Sequence, residues 1–222
     1  MGLFYRGILR FNYPPSEKYP IKGIDVSHHQ HDIDWMEVKK QNIQFAFIKA
    51  TEGGDFKDKK FAENWKNAIS SGIDVGAYHF FTFCKPGREQ AVNFIESVPI
   101  NDNALPPVID LEFGGNCSLR VDDTIVLAEI DTLQTLLEEK YQKTPIFYVT
   151  LEFYNRFFNN NFPRNPIWIR DIYGEPTLND EREWLIWQYA NRGHLDGINT
   201  YVDLNVFNGT NEDYEKLKAS YN

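Results

Sequence analysis

From residue 23 onward the chain alternates short apolar runs of strand length with stretches of helical periodicity. The runs fall at 23–27, 45–51, 75–81, 108–113, 146–150, 167–171, 185–189 and 202–207, most of them bounded by Gly, Pro, Asn or Asp. Asp34, with Glu37 three residues on, has the form of a capping box and opens a helix towards Asn42. Phe61, Trp65 and Ile69 recur at helical spacing, and Gly72 is placed to end that helix. Pro86 can open a third helix with Phe94, Ile95 and Val98 on its inner face, and Pro99 stops it. Val126, Ile130, Leu133 and Leu137 stripe a helix over about 123–140. A weaker helix is expected over 151–159, and a last short one opens at Thr210, with Asp213 three residues on, and runs towards Ser220. Strand, helix, strand repeated in this way implies a parallel sheet with crossover helices. A full eight-helix barrel takes roughly 250 residues, so eight strands in a chain of 222 imply a compressed one. The intervals between the last three runs are too short and too polar for good helices. The expected α/β fold is therefore a flattened, irregular TIM-like (β/α) barrel with about eight strands and about five main helices. Residues 1–22, aromatic and basic and then rich in Pro, read as a leader or linker, and residues 23–222 as a single domain of catalytic size.

Composition excludes some functions. With 23 Lys and Arg against 32 Asp and Glu, the net charge of −9 argues against nucleic acid, which needs basic patches. No stretch reaches the roughly 18 consecutive apolar residues of a membrane span, and no complete signal peptide is visible. Aromatic residues make up 15% of the chain, enough to serve a core and also to stack on sugar rings. Cys84 and Cys117 lack the spacing of a zinc site. Each follows a predicted strand, so neighbouring strands could bring them together, but spacing alone does not establish a disulfide.

The acidic residues carry the chemistry. Asp25, Asp110, Glu112 and Asp203 lie in or at the ends of apolar runs, and ionised carboxylates are costly to bury unpaired. In α/β barrels the C-terminal ends of the strands form the active site, so these acids are expected to converge there. Asp110 and Glu112 stand two apart and face the same side of their strand, with Leu111 on the other. Two carboxyls this close raise the apparent pKa of one, which suits a general acid. The alternative for the pair is a surface or salt-bridged role, and for Asp25 and Asp203 structural pairing with Lys or Arg. If the barrel closes, the strands of Asp25 and Asp203 become neighbours and the two side chains can meet. Glu52, Tyr78, Tyr148, Trp168 and Gln188 fall at other strand ends. The cluster His28, His29, His31 invites a zinc site with Asp25, but adjacent strand residues point to opposite faces, so a substrate-contacting or structural histidine is favoured and no metal is expected.

These motifs together resemble a family. Gly23–Ser27 (GIDVS), Phe47–Gly53 (FIKATEG), Gly76–Phe80 (GAYHF), Val108–Glu112 (VIDLE), Trp187–Tyr189 (WQY) and Val202–Asn205 (VDLN) occur in the order found in lysozymes of glycoside hydrolase family 25, the Chalaropsis-type N,O-muramidases. The resemblance covers about residues 23–209. It implies a flattened barrel with fewer helices than strands, and hydrolysis of the β-1,4 bond between N-acetylmuramic acid and N-acetylglucosamine in peptidoglycan. By position it makes Glu112 the general acid and Asp110 the group that orients the substrate acetamido or stabilises charge near it. Asp25 and Asp203 complete an acidic floor, and Tyr78, Tyr148 and Gln188 contact sugar. His31 departs from the family pattern of Gly, Pro or Glu, in a loop that does not touch the carboxylates. A covalent glycosyl-enzyme and attack by the substrate's own N-acetyl group both remain open, the second favoured by analogy with the Asp-x-Glu spacing. The implied enzyme is a monomer that needs no cofactor, has peptidoglycan glycan strands as its partner, and works in an extracellular, periplasmic or cell-surface setting. A non-catalytic glycan-binding barrel and a glycosidase or deacetylase on a chitin-like polymer are the competing functions.

Overall fold

The structure, a computed structural model, describes residues 12–117, 122–158 and 161–219. The strands are β1 (Lys22–Val26), β2 (Ile43–Glu52), β3 (Phe56–Lys57), β4 (Asp74–Phe80), β5 (Val108–Leu111), β6 (Ile146–Thr150), β7 (Ile167–Arg170), β8 (Ile186–Gly193) and β9 (Val202–Phe207). The helices are α1 (Trp35–Lys40), α2 (Phe61–Ser70), α3 (Gly87–Ser97), α4 (Asp123–Tyr141), α5 (Leu151–Phe157) and α6 (Asn211–Lys218), with a 3-10 turn at His28–Gln30. The expected ends of the helices near residues 159 and 220, and residues 1–11 of the expected leader, lie outside the described residues.

The strands form one sheet in the order β1-β9-β8-β7-β6-β5-β4-β2-β3, and β1 also pairs with β2. That extra pairing closes a ring from which the short β3 is excluded. The barrel is flattened and helix-poor on one side: five helices follow the early strands, and the described connections from β7 to β8 and from β8 to β9 carry none.

One difference from the sequence expectation matters for the site. The sheet is not wholly parallel, because β9 runs antiparallel to both β8 and β1. Only eight residues separate β8 from β9, too few for the crossover that parallel neighbours need. Asp203 is therefore at the start of its strand, not the end, and the reversal places that start among the C-terminal ends of the others.

Period-two alternation sorts the strand residues. Ile24, Ala46, Ile48, Ile109, Leu111, Phe147, Val149, Ile169 and Trp187 point outward and pack under Val38, Trp65, Ala68, Phe94, Val126, Ile130, Leu133 and Leu137 of the helices. Phe45, Phe47, Val108, Ile146, Trp168, Ile186 and Phe207 point inward and fill the lower barrel, where Tyr214 and Leu217 of α6 join them. Fully burying each of these side chains contributes about 1.5–3 kcal/mol. Two glycines leave room for this layer: a Cβ at Gly23 would stand 2.2 Å from the Phe45 ring, and one at Gly76 would stand 2.3 Å from the Phe47 ring.

Helix starts follow local chemistry. Asp34 accepts from the amides of Met36 and Glu37, Asp122 from Thr124, and Thr150 from Phe153. Thr210 and Asp213 cap one another at α6. The stretch before β1 packs on the barrel: Tyr19 is buried beside Trp184 and Trp187, and its hydroxyl donates to Glu175 at 2.8 Å.

Candidate active site

Two residues above the apolar layer, the inward positions of the same strands become polar. Asp25 follows Gly23 on β1, Lys49 follows Phe47 on β2, Tyr78 follows Gly76 on β4, and Asp110 follows Val108 on β5 with Glu112 two further on. Tyr148 follows Ile146 on β6, and Gln188 follows Ile186 on β8. On the reversed β9, Asn205 and Asp203 lead towards Phe207. These side chains line a cavity of about 190 Å³ together with Ser27, His29, Phe80 and Trp168. Asn205 alone among them lies beneath the lining, fully buried.

Asp25 is the best-held carboxylate. Gln188 Nε2 and Asn205 Nδ2 both donate to its Oδ2, at 2.9 and 2.8 Å. Tyr148 donates to Gln188 Oε1 at 3.0 Å, and Trp168 Nε1 donates to Asn205 Oδ1 at 2.9 Å. Each amide is thus oriented from below by an aromatic donor and offers its own N–H upward. Burial raises the Asp25 pKa, and the bonds from Asn205 and Gln188 oppose that rise. Asp203 sits opposite Asp25 across the β1–β9 ladder. Its carboxyl is pushed well above the ordinary range by burial and by the Asp25 charge, so of the two Asp203 holds its proton the more tightly.

Asp110 and Glu112 share the inner face of β5 and its extension. Asp110 is 8% exposed, and its Oδ1 is buried without a hydrogen-bond partner. Burial and the neighbouring Glu112 charge hold its carboxyl well above the usual value. Glu112 is the more accessible, with 22% of its side chain exposed. Burial raises its pKa while the Arg170 guanidinium, 3.8 Å away, lowers it. A carboxyl that keeps its proton and still reaches solvent can transfer that proton to a bound ligand.

The structure brings Asp25, Asp110, Glu112, Asp203, Tyr78, Tyr148, Trp168 and Gln188 to one cavity. Trp168 is its floor, 2% exposed and packed on Phe47 and Tyr148. Glu52 lies apart: it does not line the cavity, and its carboxylate pairs with Lys49 at 2.7 Å. His28 and His29 lie on the 3-10 turn rather than on the strand, so their rings do not point to opposite faces but stand 4.1 Å apart. His28 Nδ1 lies 2.7 Å from Asp58 Oδ2, while His29 lines the cavity.

Sequence reasoning did not single out Lys49, Arg170 or Asn205. Each sits at an inward position of its strand, Lys49 two beyond Phe47, Arg170 two beyond Trp168 and Asn205 two beyond Asp203. Extending the period-two count along β2, β7 and β9 finds all three. A larger, more open depression of about 810 Å³ lies over α1 and α2. Its acids are engaged already, Asp32 with Lys60 at 2.5 Å, Asp34 in capping α1 and Glu37 with Lys40 at 2.6 Å.

Comparison with known proteins decides the family. The profile described as glycosyl hydrolases family 25 matches residues 24–198, from β1 into the β8–β9 connection. The chain belongs to glycosyl hydrolases family 25. A solved family 25 glycosyl hydrolase from Bacillus anthracis is 43% identical, with a TM-score of 0.88, over 96% of this chain and 99% of that one. Lysozyme M1 of Streptomyces globisporus is 31% identical over 88% of this chain and 70% of its own length. YegX, an uncharacterised protein of Escherichia coli strain K12, is 36% identical over 95% of this chain and 78% of its own. The family 25 match ends before β9, so Asp203 and Asn205 stand outside it and owe their place in the cavity to the closing strand.

Proposed function

We propose that this protein is a lysozyme, a muramidase of the Chalaropsis type that hydrolyses the β-1,4 bond between N-acetylmuramic acid and N-acetylglucosamine. Its substrate is the glycan strand of peptidoglycan, met in an extracellular, periplasmic or cell-surface setting. Membership of family 25 makes it a glycosidase by relationship, and the similarity to a lysozyme of Streptomyces globisporus supports the choice of polymer. The observation that carries the mechanism is the division of labour on β5: Glu112 is partly exposed and beside a cation, and Asp110 is buried with an unpartnered oxygen.

Glu112 protonates the leaving glycosidic oxygen as the bond from the anomeric carbon breaks. Asp110 Oδ1 accepts the N–H of the substrate acetamido group and turns its carbonyl oxygen onto the anomeric carbon. The ring so formed opens when water adds, and the Glu112 carboxylate takes the proton that water gives up. The ionised Asp25 beneath stabilises the positive charge that builds at the anomeric carbon. Tyr78, Tyr148 and Gln188 supply the sugar-contacting walls.

Muropeptide analysis of purified peptidoglycan treated with the parent and with Glu112→Gln tests this. New reducing-end muramic acid from the parent and none from the variant is the expected result. Products ending in reducing N-acetylglucosamine, or equal products from both proteins, would overturn it. A glycosyl-enzyme adduct found by mass spectrometry would replace the acetamido route with a covalent one.

A further inference from the structure

Glu112 lies one residue beyond the end of β5, so the ladder that fixes Asp110 does not fix it. Its backbone is held instead from the loop that follows. Gly115, at φ +75°, turns the chain back by a route that a residue with a side chain rarely takes. The turn brings Asn116 under the strand ends. Asn116 Nδ2 donates to the carbonyl of Glu112 at 3.1 Å and to that of Phe81 at 2.8 Å. Its Oδ1 accepts from the amides of Phe83 and Cys117, each at 2.9 Å. Phe81 in turn donates its N–H to the carbonyl of Asp110 at 3.0 Å. Both ends of one amide are therefore used to tie the exit of β4 to the exit of β5, at the residue that carries the acid. The Cys84–Cys117 disulfide joins the same two exits next to it.

We propose that Asn116 is a positioning residue for Glu112: its side-chain amide sets where the acid stands over the cavity. The proposal rests on Glu112 being the general acid. No other residue type serves equally here. An aspartate keeps the two acceptor contacts but loses both donors, and it would face the Glu112 and Phe81 carbonyls with an oxygen. An alanine loses all of them. A misplacement of about 1 Å at a reacting group can cost about 100-fold in rate, and a loss of that kind falls on kcat because it moves the acid and not the side chains assigned to contact sugar.

The test compares Asn116→Ala and Asn116→Asp with Glu112→Gln and the parent. Initial rates of reducing-end release are measured on soluble peptidoglycan glycan fragments, each protein at its own pH optimum and below its unfolding midpoint. The expected result is a fall of about 10- to 100-fold in kcat with unchanged KM for both Asn116 variants. The Asn116→Asp variant carries the particular weight, because it is isosteric and keeps the bonds to Phe83 and Cys117. A parental kcat in the Asn116 variants, with only a lowered unfolding midpoint, would make the residue structural and overturn the proposal while Glu112→Gln stays inactive. A raised KM with unchanged kcat would overturn it too. Parental activity in Glu112→Gln would instead remove the assignment of the acid, and the positioning role with it.

Discussion

Asp25 and Asp203 face each other directly across the antiparallel β1–β9 pair, at the seam where the barrel closes. Asp25 receives two amide donors on one oxygen, while burial and the Asp25 charge push the Asp203 carboxyl well above the ordinary range. The two form an unequal pair, in which Asp203 holds its proton the more tightly. Asp203→Asn keeps a donor to Asp25 and the shape of the pair, so its activity is expected to stay well above that of Asp25→Asn. The latter can still accept from Gln188 and Asn205 through its amide oxygen, but it removes the negative charge they hold in place. Rates of the two variants on peptidoglycan check this ordering.

Stability depends on pH with a sign set by the raised carboxyls. Asp110 in the folded chain binds its proton more tightly than an ordinary aspartate at 3.8. Its favourable contribution is full below that value and is lost as pH rises through its higher folded pKa. Asp110→Asn removes the loss. It is expected to stabilise the fold at neutral pH by about 1–2 kcal/mol, the usual size of such a gain at a functional site, and to leave the stability near pH 3 little changed. Denaturant unfolding at several pH values measures both.

Arg170 sets how long Glu112 keeps its proton as pH rises. The guanidinium favours the carboxylate from 3.8 Å, so removing it raises the pKa of the acid. Arg170→Met is expected to move the alkaline limb of the kcat/KM profile to higher pH. A limb that stays in place would show that another group governs it.

The lower barrel has no room to spare at Gly76. Gly76→Ala places a methyl 2.3 Å from the Phe47 ring, and overpacking of this kind costs about 1–3 kcal/mol. Phe47→Leu alone is also destabilising, but the double variant is expected to be more stable than the sum of the two predicts. A double-mutant cycle in urea reads the coupling directly.

Cys84 and Cys117 close a loop with a sequence separation of 33. In the chain-entropy account such a cross-link stabilises by about 3–4 kcal/mol. Cys84→Ser with Cys117→Ser is expected to lower the unfolding free energy by up to that amount. Comparing oxidised parent, reduced parent and the double variant separates loss of the bond from the effect of substitution.

Most of the architecture and its acids were legible in the sequence because alternation is a local signal. Val108, Asp110 and Glu112 on one face and Ile109 and Leu111 on the other declare a strand with an apolar outside and a partly acidic inside. The reversed direction of β9 was not legible, since an apolar run does not say which way it is threaded; only the shortness of its connection to β8 constrains it. Lys49 and Arg170 were given no role for a related reason. A cation between apolar neighbours resembles any strand-end charge until the strands are brought together around one space. Glu52 sits in a family-like motif and pairs with Phe80 in the β2–β4 ladder beyond a register shift, yet its carboxylate turns to Lys49 and not to the cavity. The Asn116 clamp depends on a turn whose geometry comes from Gly115, and no periodicity announces it.

The alternation along β5 also guards the barrel against an error of assembly. A slip of one residue would carry Asp110 and Glu112 into the greasy layer beneath α3 and α4 and swing Ile109 and Leu111 into the cavity. Two carboxyls stranded among Phe94, Ile130 and Leu133 would make that misthreaded chain too costly to persist. The two acids of β5 thus double as an index mark, and a chain that mis-sets its fifth strand forfeits its fold along with its chemistry.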